Sequence, residues 1–420
     1  MTVGIEAINI YGGLAFIDVN QLAGYRNLDT TRLNKLLMKH KTVSMNFEDP
    51  VSFAINAAKP ILNKFSPQEI NQIELLIVAT ESGLDFGNPI STYVHDYLGL
   101  SKNCRNFEIK HACYGGTAAL QMAANLIYSN PGQEKKALVI TTDVARILSR
   151  QELTDEEWQL YIYGEPSQGA AATAILVSEV SKILELEKGY NGYYCFEVMD
   201  AYRPSTRHEL ANPDLSLMSY LDCLENAYND YCSKAGKISF ENYFDYLAFH
   251  TPFGGMVKGA HRNLMRKLHH SSPDFIEQDF EKRMQISLNI CQEVGNVYSG
   301  SLFVALCGVI EKGSFETAKR IGLFSYGSGC CSEFFSAQIL PTAQSEYKTM
   351  GIKERLNKRQ VLSINEYEQL THSNRETAFG IKDTEIDFAL FFDILKATAE
   401  HYDILVLKEI KNYHRSYTWV

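Results

Sequence analysis

Glu108-Ile109-Lys110-His111-Ala112-Cys113-Tyr114-Gly115-Gly116-Thr117-Ala118-Ala119-Leu120 decides how the rest of the chain is read. A short half-apolar strand ends near His111, one cysteine and two glycines follow, and Thr117 to Ile127 is apolar on nearly every face. Such a run predicts a strand, a tight turn and a helix buried all round, because a surface helix would carry a polar stripe. Cys113 then stands at the N-terminus of a buried helix. There the macrodipole and the free backbone N–H groups favour a thiolate. The same N–H groups can receive a carbonyl oxygen that turns negative on attack. The arrangement suits an acyl acceptor. A cysteine taken alone is more often a small hydrophobe packing a helix start, so other groups must support the reading.

The 420 residues are enough for two packed domains or one large duplicated fold. A formal net charge of -10 argues against general binding to nucleic acid or anionic membrane, although a local basic patch is present. Nine cysteines, an odd number without regular spacing, do not form a disulfide framework, and no Cys/His set has zinc-site spacing. Met1-Thr2-Val3-Gly4-Ile5-Glu6 lacks the basic and apolar regions of a signal peptide, and no apolar run is long enough to cross a bilayer. The expectation is a soluble cytoplasmic protein with reduced thiols.

Outward from Cys113, strands and helices alternate. Val3–Tyr11 reads as a strand, Leu28–His40 carries helical signals, and Asp49-Pro50 opens a helix running to about Phe65. Leu75–Thr80, Phe107–Lys110, Ala137–Asp143 and Ala171–Ser178 are further strands, giving an α/β layered fold. The scheme then repeats. Tyr246–His250 ends on a polar residue, as Leu75–Thr80 leads into Glu81, and Gly300–Ile310 is a second all-apolar helix after a glycine. Ile321–Ser325 and Glu333–Ile339 mirror the pair Ala137–Thr142 and Ala171–Ser178. The pattern predicts two similar α/β halves, residues 1–180 carrying Glu81 and Cys113 and residues 181–420 carrying His250 and Asn296. Each half brings one buried helix to the centre. A charged insertion at about 341–400, notably Tyr347 to Glu376, reads as surface helices, and Ile404–Lys408 as a late strand.

Three polar residues fall at strand or helix boundaries. Glu81, directly after an apolar strand, can have its pKa raised by desolvation and act as base or acid, or simply cap a turn. His250 follows another apolar strand, where a histidine is usually structural. Asn296 sits beside Gly295 before the second buried helix, a common turn position. His95, His111, His208 and the pair His269-His270 have no supporting motif and read as structural or surface residues. Nucleophile, carboxylate, histidine and amide at corresponding places in two halves are hard to attribute to chance.

They also match a family. The chain resembles the 3-hydroxy-3-methylglutaryl-CoA synthases of the thiolase-like superfamily, over nearly its whole length. Ala79-Thr80-Glu81-Ser82-Gly83 is similar to the family's acid/base segment, and Ala112-Cys113-Tyr114-Gly115-Gly116 to its nucleophile segment. Gly164 to Ala171, with Gln168, and Ser325-Tyr326-Gly327-Ser328-Gly329 resemble its signature loops. His250, Gly295-Asn296-Val297-Tyr298 and the tail Tyr413-His414-Arg415-Ser416-Tyr417 complete the likeness. The stretch from His250 to Arg262 departs from the mevalonate-pathway pattern, which usually has a basic residue before the methionine. It looks like the β-branching synthases of polyketide clusters of the bacillaene type, which work on acyl-carrier proteins (ACPs).

The resemblance implies a duplicated α/β/α/β/α fold, a homodimer, and no metal, nucleotide or redox cofactor. It implies that Cys113 takes acetyl from a donor ACP and that Glu81 removes a methyl proton. The carbanion then adds to the β-ketone of a β-ketoacyl-ACP, with His250 serving the new alkoxide and Asn296 the thioester. Ser328 and Gly327 would hold phosphopantetheine or the oxyanion. Lys258, Arg262 and Arg266 recur every four residues after Gly255 and form one basic stripe, with His269 on the same face, suited to a phosphate and an acidic carrier. A solvated basic face is the alternative for the stripe. Three rival functions remain open. A decarboxylating Cys-His-Asn ketoacyl synthase has no need of Glu81, a mevalonate-pathway enzyme would use acetyl-CoA and acetoacetyl-CoA, and a scaffold would be inactive.

Overall fold

The structure is a computed structural model that describes residues 2–145, 148, 150, 153–203, 209–236, 238–269 and 271–420. His208 and His270 lie outside the described residues, as does the side chain of His269.

Ten strands are joined by hydrogen bonds in one order. They run Tyr246–Phe249, Lys319–Gly327, Cys331–Ile339, Leu184–Leu186, Gly4–Tyr11, Ala170–Ser178, Lys136–Val144, Ile73–Ala79 and Arg105–Ile109, with Gly192–Cys195 added to Cys331–Ile339. Two wings meet where Leu184–Leu186 pairs with Gly4–Tyr11. From that seam outward both wings have the same sense. Gly4–Tyr11, Ala170–Ser178 and Lys136–Val144 pair antiparallel in turn, and Ile73–Ala79 then adds in parallel. On the other side Leu184–Leu186, Cys331–Ile339 and Lys319–Gly327 pair antiparallel, and Tyr246–Phe249 adds in parallel. The N-terminal wing has one further parallel strand, Arg105–Ile109.

Helix placement follows from burial pattern. Gly115–Tyr128 and Ser301–Lys312, the two nearly all-apolar helices, each pack against the parallel strands of their own wing. The first turn of one meets the Tyr298–Gly300 turn that leads into the other. Pro50–Leu62 covers the outer face of the first wing and Pro213–Ala235 that of the second. The result is the layered, thiolase-like α/β/α/β/α arrangement.

Some local expectations change. Leu28–His40 is not one helix: Val19–Tyr25 and Thr30–Asn34 are short helices, and His40–Val43 is a strand paired with Ala15–Asp18. Cross-strand pairing of β-branched Thr42 and Val43 outweighs a weak helical period. The helix from Pro50 stops at Leu62, with Asp49 and Ser52 forming a capping box. The charged segment after residue 341 is more than surface: its helices bury Tyr347, Tyr367, Leu370 and Leu395. One or two apolar residues per turn face inward while the charges face out, which composition alone does not reveal.

The C-terminal hairpin, Leu405–Lys411 with His414–Trp419, is pinned to the Pro50–Leu62 helix. Arg415 Nη1 lies 3.1 Å from Asp49 Oδ2, and the Tyr417 hydroxyl donates to the same oxygen at 2.7 Å. All three side chains are buried. Arg415→Ala therefore leaves Asp49 without its cation, and the expected loss is about 3–5 kcal/mol of unfolding free energy. Denaturant titration checks this, and a loss under about 1 kcal/mol, as for an exposed pair, would contradict it.

Candidate active site

The parallel register sets Ala79 opposite both Ile109 and Thr141, so three strands release the chain at one edge. Glu81 lies two residues beyond the first, and Cys113 four beyond the second. Asp143 is the knot between them. It accepts from the Glu81 N–H at 2.7 Å, the Ser82 hydroxyl at 3.2 Å, the Ser299 N–H at 3.0 Å and the Ser299 hydroxyl at 2.5 Å. One buried carboxylate thus ties the Glu81 loop of the first half to the turn before the second buried helix.

Close backbone approach explains the glycines. A Cβ on Gly116 would fall 2.3 Å from the Ser299 carbonyl oxygen, and one on Gly327 would fall 2.6 Å from the Tyr114 nitrogen. The loop through Gly327 and Ser328 is thereby seated on the nucleophile turn, where Ala112 takes a positive φ of 42°. Gln168 and Asn296 pair as an isolated bridge, with the Gly169 N–H donating to the Asn296 carbonyl at 3.0 Å. The Asn296 side-chain oxygen accepts from the Tyr298 N–H and the Ser301 hydroxyl. That fixes its amide orientation.

Electrostatics revises the expectation for Cys113. The helix begins at Gly115 with Tyr114 as its cap, so Cys113 lies one residue before the cap. The residue is half-buried, and burial pushes the pKa of its thiol well above the usual value. The charges of Glu81, Asp143, Glu209 and Asp200 push the same way. A partial dipole charge of roughly half a unit is outweighed by four carboxylates and desolvation. The resting nucleophile is a thiol rather than a thiolate. Burial first, then the Asp143 charge, raises Glu81 to about 7, against the pull of Lys110, the Ala112 N–H and Arg203. Burial lowers His250 to about 3, so its imidazole is neutral.

His250 follows Tyr246–Phe249. Its N–H donates to the Phe324 carbonyl at 2.8 Å, and its carbonyl accepts from the Tyr220 hydroxyl at 2.8 Å. Among the described residues its Nδ1 has no partner, nor has Oε1 of Glu81, although both atoms are buried. Buried polar atoms are nearly always paired, so each of these two is available to meet a bound molecule. A cleft of about 470 Å³ opens beside the nucleophile turn, lined by Lys110, His111, Ala112, Cys195, Ser328 and Gly329 among others.

Four residues around the site, Arg203, Glu209, Asp200 and Asp143, were not singled out in the sequence. Arg203 donates to the Glu81 carbonyl at 2.5 Å, and Tyr298, at a positive φ of 44°, donates to Glu209 at 2.8 Å. Asp200 accepts from the Tyr326 hydroxyl and the Gly329 N–H. For the fourth, Asp143, a signal existed, a carboxylate ending an apolar strand as Glu81 nearly does. The others come from loops without periodicity. On the basic helix, Gly254–His269, Arg262 and Arg266 are exposed. Lys258 is not free, because it pairs with Glu277 and lies over the Phe280 ring. Of the remaining histidines, His95 bonds the Ser101 carbonyl, and His111 is exposed at the cleft.

Two wings with the same strand sense, a cysteine just ahead of a buried central helix and a carboxylate beside it define a condensing enzyme of the thiolase-like fold. Family models agree. That for the N-terminal part of hydroxymethylglutaryl-coenzyme A synthase matches residues 1–152, and that for its C-terminal part residues 184–274 and 261–418. The chain belongs to the hydroxymethylglutaryl-coenzyme A synthase family. It is 48% identical to the polyketide biosynthesis 3-hydroxy-3-methylglutaryl-ACP synthase PksG of Bacillus subtilis, over the full length of both. The solved PksG structure superposes over all of both chains with a TM-score of 0.95. The curacin pathway HMG synthase, solved with an acetyl donor ACP, is also 48% identical, covers all of both chains and has a TM-score of 0.95. Hydroxymethylglutaryl-CoA synthase of Enterococcus faecalis is 33% identical, across 90% of this chain and 93% of its own.

Proposed function

We propose that the protein condenses an acetyl group from an acetyl-loaded carrier protein with the β-ketone of a β-ketoacyl-ACP, giving a 3-hydroxy-3-methylglutaryl-type branch. The carrying observation is that the Glu81 carboxylate acts directly on the Cys113 thiol while its buried Oε1 has no partner among the described residues, a condition shared by Nδ1 of His250. The 48% relatives that act in polyketide pathways and carry donor ACP favour carrier-bound substrates over free CoA thioesters.

Cys113 Sγ attacks the acetyl thioester carbon, and its proton leaves finally on the departing pantetheine sulfur. The developing oxyanion meets the N–H groups of Cys113 and Ser328, neither of which donates to an acceptor among the described residues. Glu81 then takes a proton from the acetyl methyl, and the carbanion forms the new bond to the acceptor's β-carbon. Neutral His250 donates a hydrogen bond to the resulting alkoxide, and Glu81 is the nearby source of the proton that neutralises it. Asn296, its oxygen already held, turns its NH₂ toward the incoming thioester. Water cleaves the Cys113 thioester. Every step balances without a resident cofactor. The protein acts in the cytoplasm as a homodimer on this reading, and no helix among the described residues is long and apolar enough to cross a membrane.

The discriminating experiment offers acetyl and β-ketoacyl units on ACP or on CoA. Branched product at much higher kcat/KM from ACP is expected, and equal or greater use of CoA would favour the mevalonate-type reaction. Arg262 and Arg266 supply the carrier contact, without Lys258. Reversing both charges (Arg262→Glu with Arg266→Glu) should raise KM for ACP-borne substrates about tenfold at low salt, and less once the Debye length falls below ~8 Å. Acetylation from a pantetheine thioester should be unchanged; equal losses on both would make the stripe structural.

A further inference from the structure

A cavity of about 530 Å³ lies away from Cys113, between the end of Gly4–Tyr11, the outer helix Pro50–Leu62, the helix Ile352–Asn357 and the C-terminal segment. Four cations line it: Lys59, Arg355, Lys358 and Arg359. Among the described residues Asp403 is the one carboxylate in the lining, and His401 the one imidazole. In a chain of net charge -10 this is a strong local reversal.

The hydrogen bonds of the two guanidiniums go to neutral groups, and the Glu293 and Glu354 carboxylates act on Arg359 and Arg355 only through their charge. Arg359, 8% exposed, donates to the carbonyls of Leu356 and Glu293 and to the Thr42 hydroxyl. Arg355 donates to Asn9 Oδ1 at 2.6 Å, and neither arginine has a carboxylate within ion-pair distance among the described residues. Desolvation accordingly lowers Arg359 to about 10 and also lowers Arg355. Arg359 is buried and Arg355 half-buried, and a desolvated cation without a paired carboxylate is costly, so fold stability gains little from placing both in one cavity. At the mouth Lys358 sits over the Tyr402 ring and Lys59 over the Trp419 ring, at 5.2 and 5.8 Å from the centroids. Ile10, Leu14, Ile352 and Leu356 supply apolar wall.

We infer that this cavity is a second ligand site, for a small organic anion: a phosphate or carboxylate held by Arg355 and Arg359, with an aromatic or alkyl body against Trp419, Tyr402 and the aliphatic wall. Guanidinium forks suit both anions, and the volume suits a metabolite-sized molecule. Nothing in the argument uses the condensation chemistry, so the test is run on Cys113→Ala protein and stands whatever that site does.

Trp158 and Trp419 are the only tryptophans, so Trp158→Phe leaves one reporter in the cavity. Phenyl phosphate, benzoate, phenol and inorganic phosphate are titrated against its fluorescence. Saturable change with phenyl phosphate, benzoate or both, little with phenol, and weaker binding of inorganic phosphate are expected. The first two probes tell which anion is preferred. Arg355→Gln should weaken binding about tenfold or more, the loss of one charge-assisted bidentate contact. Exposed Lys358→Ala, which cannot disturb the core, should weaken it a few-fold, with melting temperature reported for both variants. No saturation by about 10 mM, equal binding of phenol, or unchanged affinity in both variants would overturn the site.

Discussion

Cys113→Ala protein incubated with acetyl-ACP carries no acetyl group, whereas the native chain carries one, and condensation falls by about 10⁴-fold or more. The size follows from removing the group to which the substrate is covalently joined. Eight other cysteines remain, but none combines the Glu81 neighbour with an N–H receptor for the oxyanion. Cys195 is the instructive control, exposed and lining the same cleft. Its Sγ lies 2.9 Å from that of Cys331, on the strand opposite. Intact-mass measurement decides the matter, and an adduct that survives in Cys113→Ala would place the nucleophile elsewhere.

Glu81→Gln separates the two halves of the reaction. Acetyl exchange passes a proton from one thiol to another and leaves none behind, so it needs no lasting acceptor. Breaking the methyl C–H bond does. Acetyl-Cys113 should accumulate while condensation falls ~10²-fold or more. The pH profile carries the same information. Burial and Asp143 favour the protonated form of Glu81 and lift it to about 7. A base works only when deprotonated, so the native condensation rate should rise with pH through about 7, and the Glu81→Gln residual rate should lack that limb. Condensation at near-native rate in Glu81→Gln would remove Glu81 from the role of base.

Much of this site can be read without coordinates. Glu81 and His250 follow apolar strands, and Cys113 and Asn296 precede all-apolar helices. Those signals are local, because a sequence of apolar residues closed by one polar group marks a strand mouth wherever it occurs. Asp143 carried the same signal. Arg203, Glu209 and Asp200 did not, since they lie in loops whose conformation depends on what they meet, and their residue types suit any solvated turn. The basic helix shows the converse case. Its spacing correctly placed Lys258, Arg262 and Arg266 on one face, yet only the packing of the helix Pro273–Arg283 beside it put Glu277 on Lys258.

The sequence by itself determined most of the long strands and helices, their order and the repeat, because hydrophobic periodicity and caps act over a few residues and both wings obey them. It singled out the side chains proposed to carry the chemistry, and through its likeness to a family, the reaction they would serve. Tertiary structure alone decided their charge states. Spacing promised a thiolate at Cys113, but a pKa depends on desolvation and on charges brought from Glu81, Asp143, Asp200 and Glu209, residues separated by up to 128 positions in the chain. It also decided that the segment from Tyr347 to Glu376 anchors rather than decorates the fold. Tyr367 donates to Glu165 at 2.9 Å across 202 residues, and Arg359 reaches the Glu293 carbonyl across 66. Contacts of that range leave no period in the sequence.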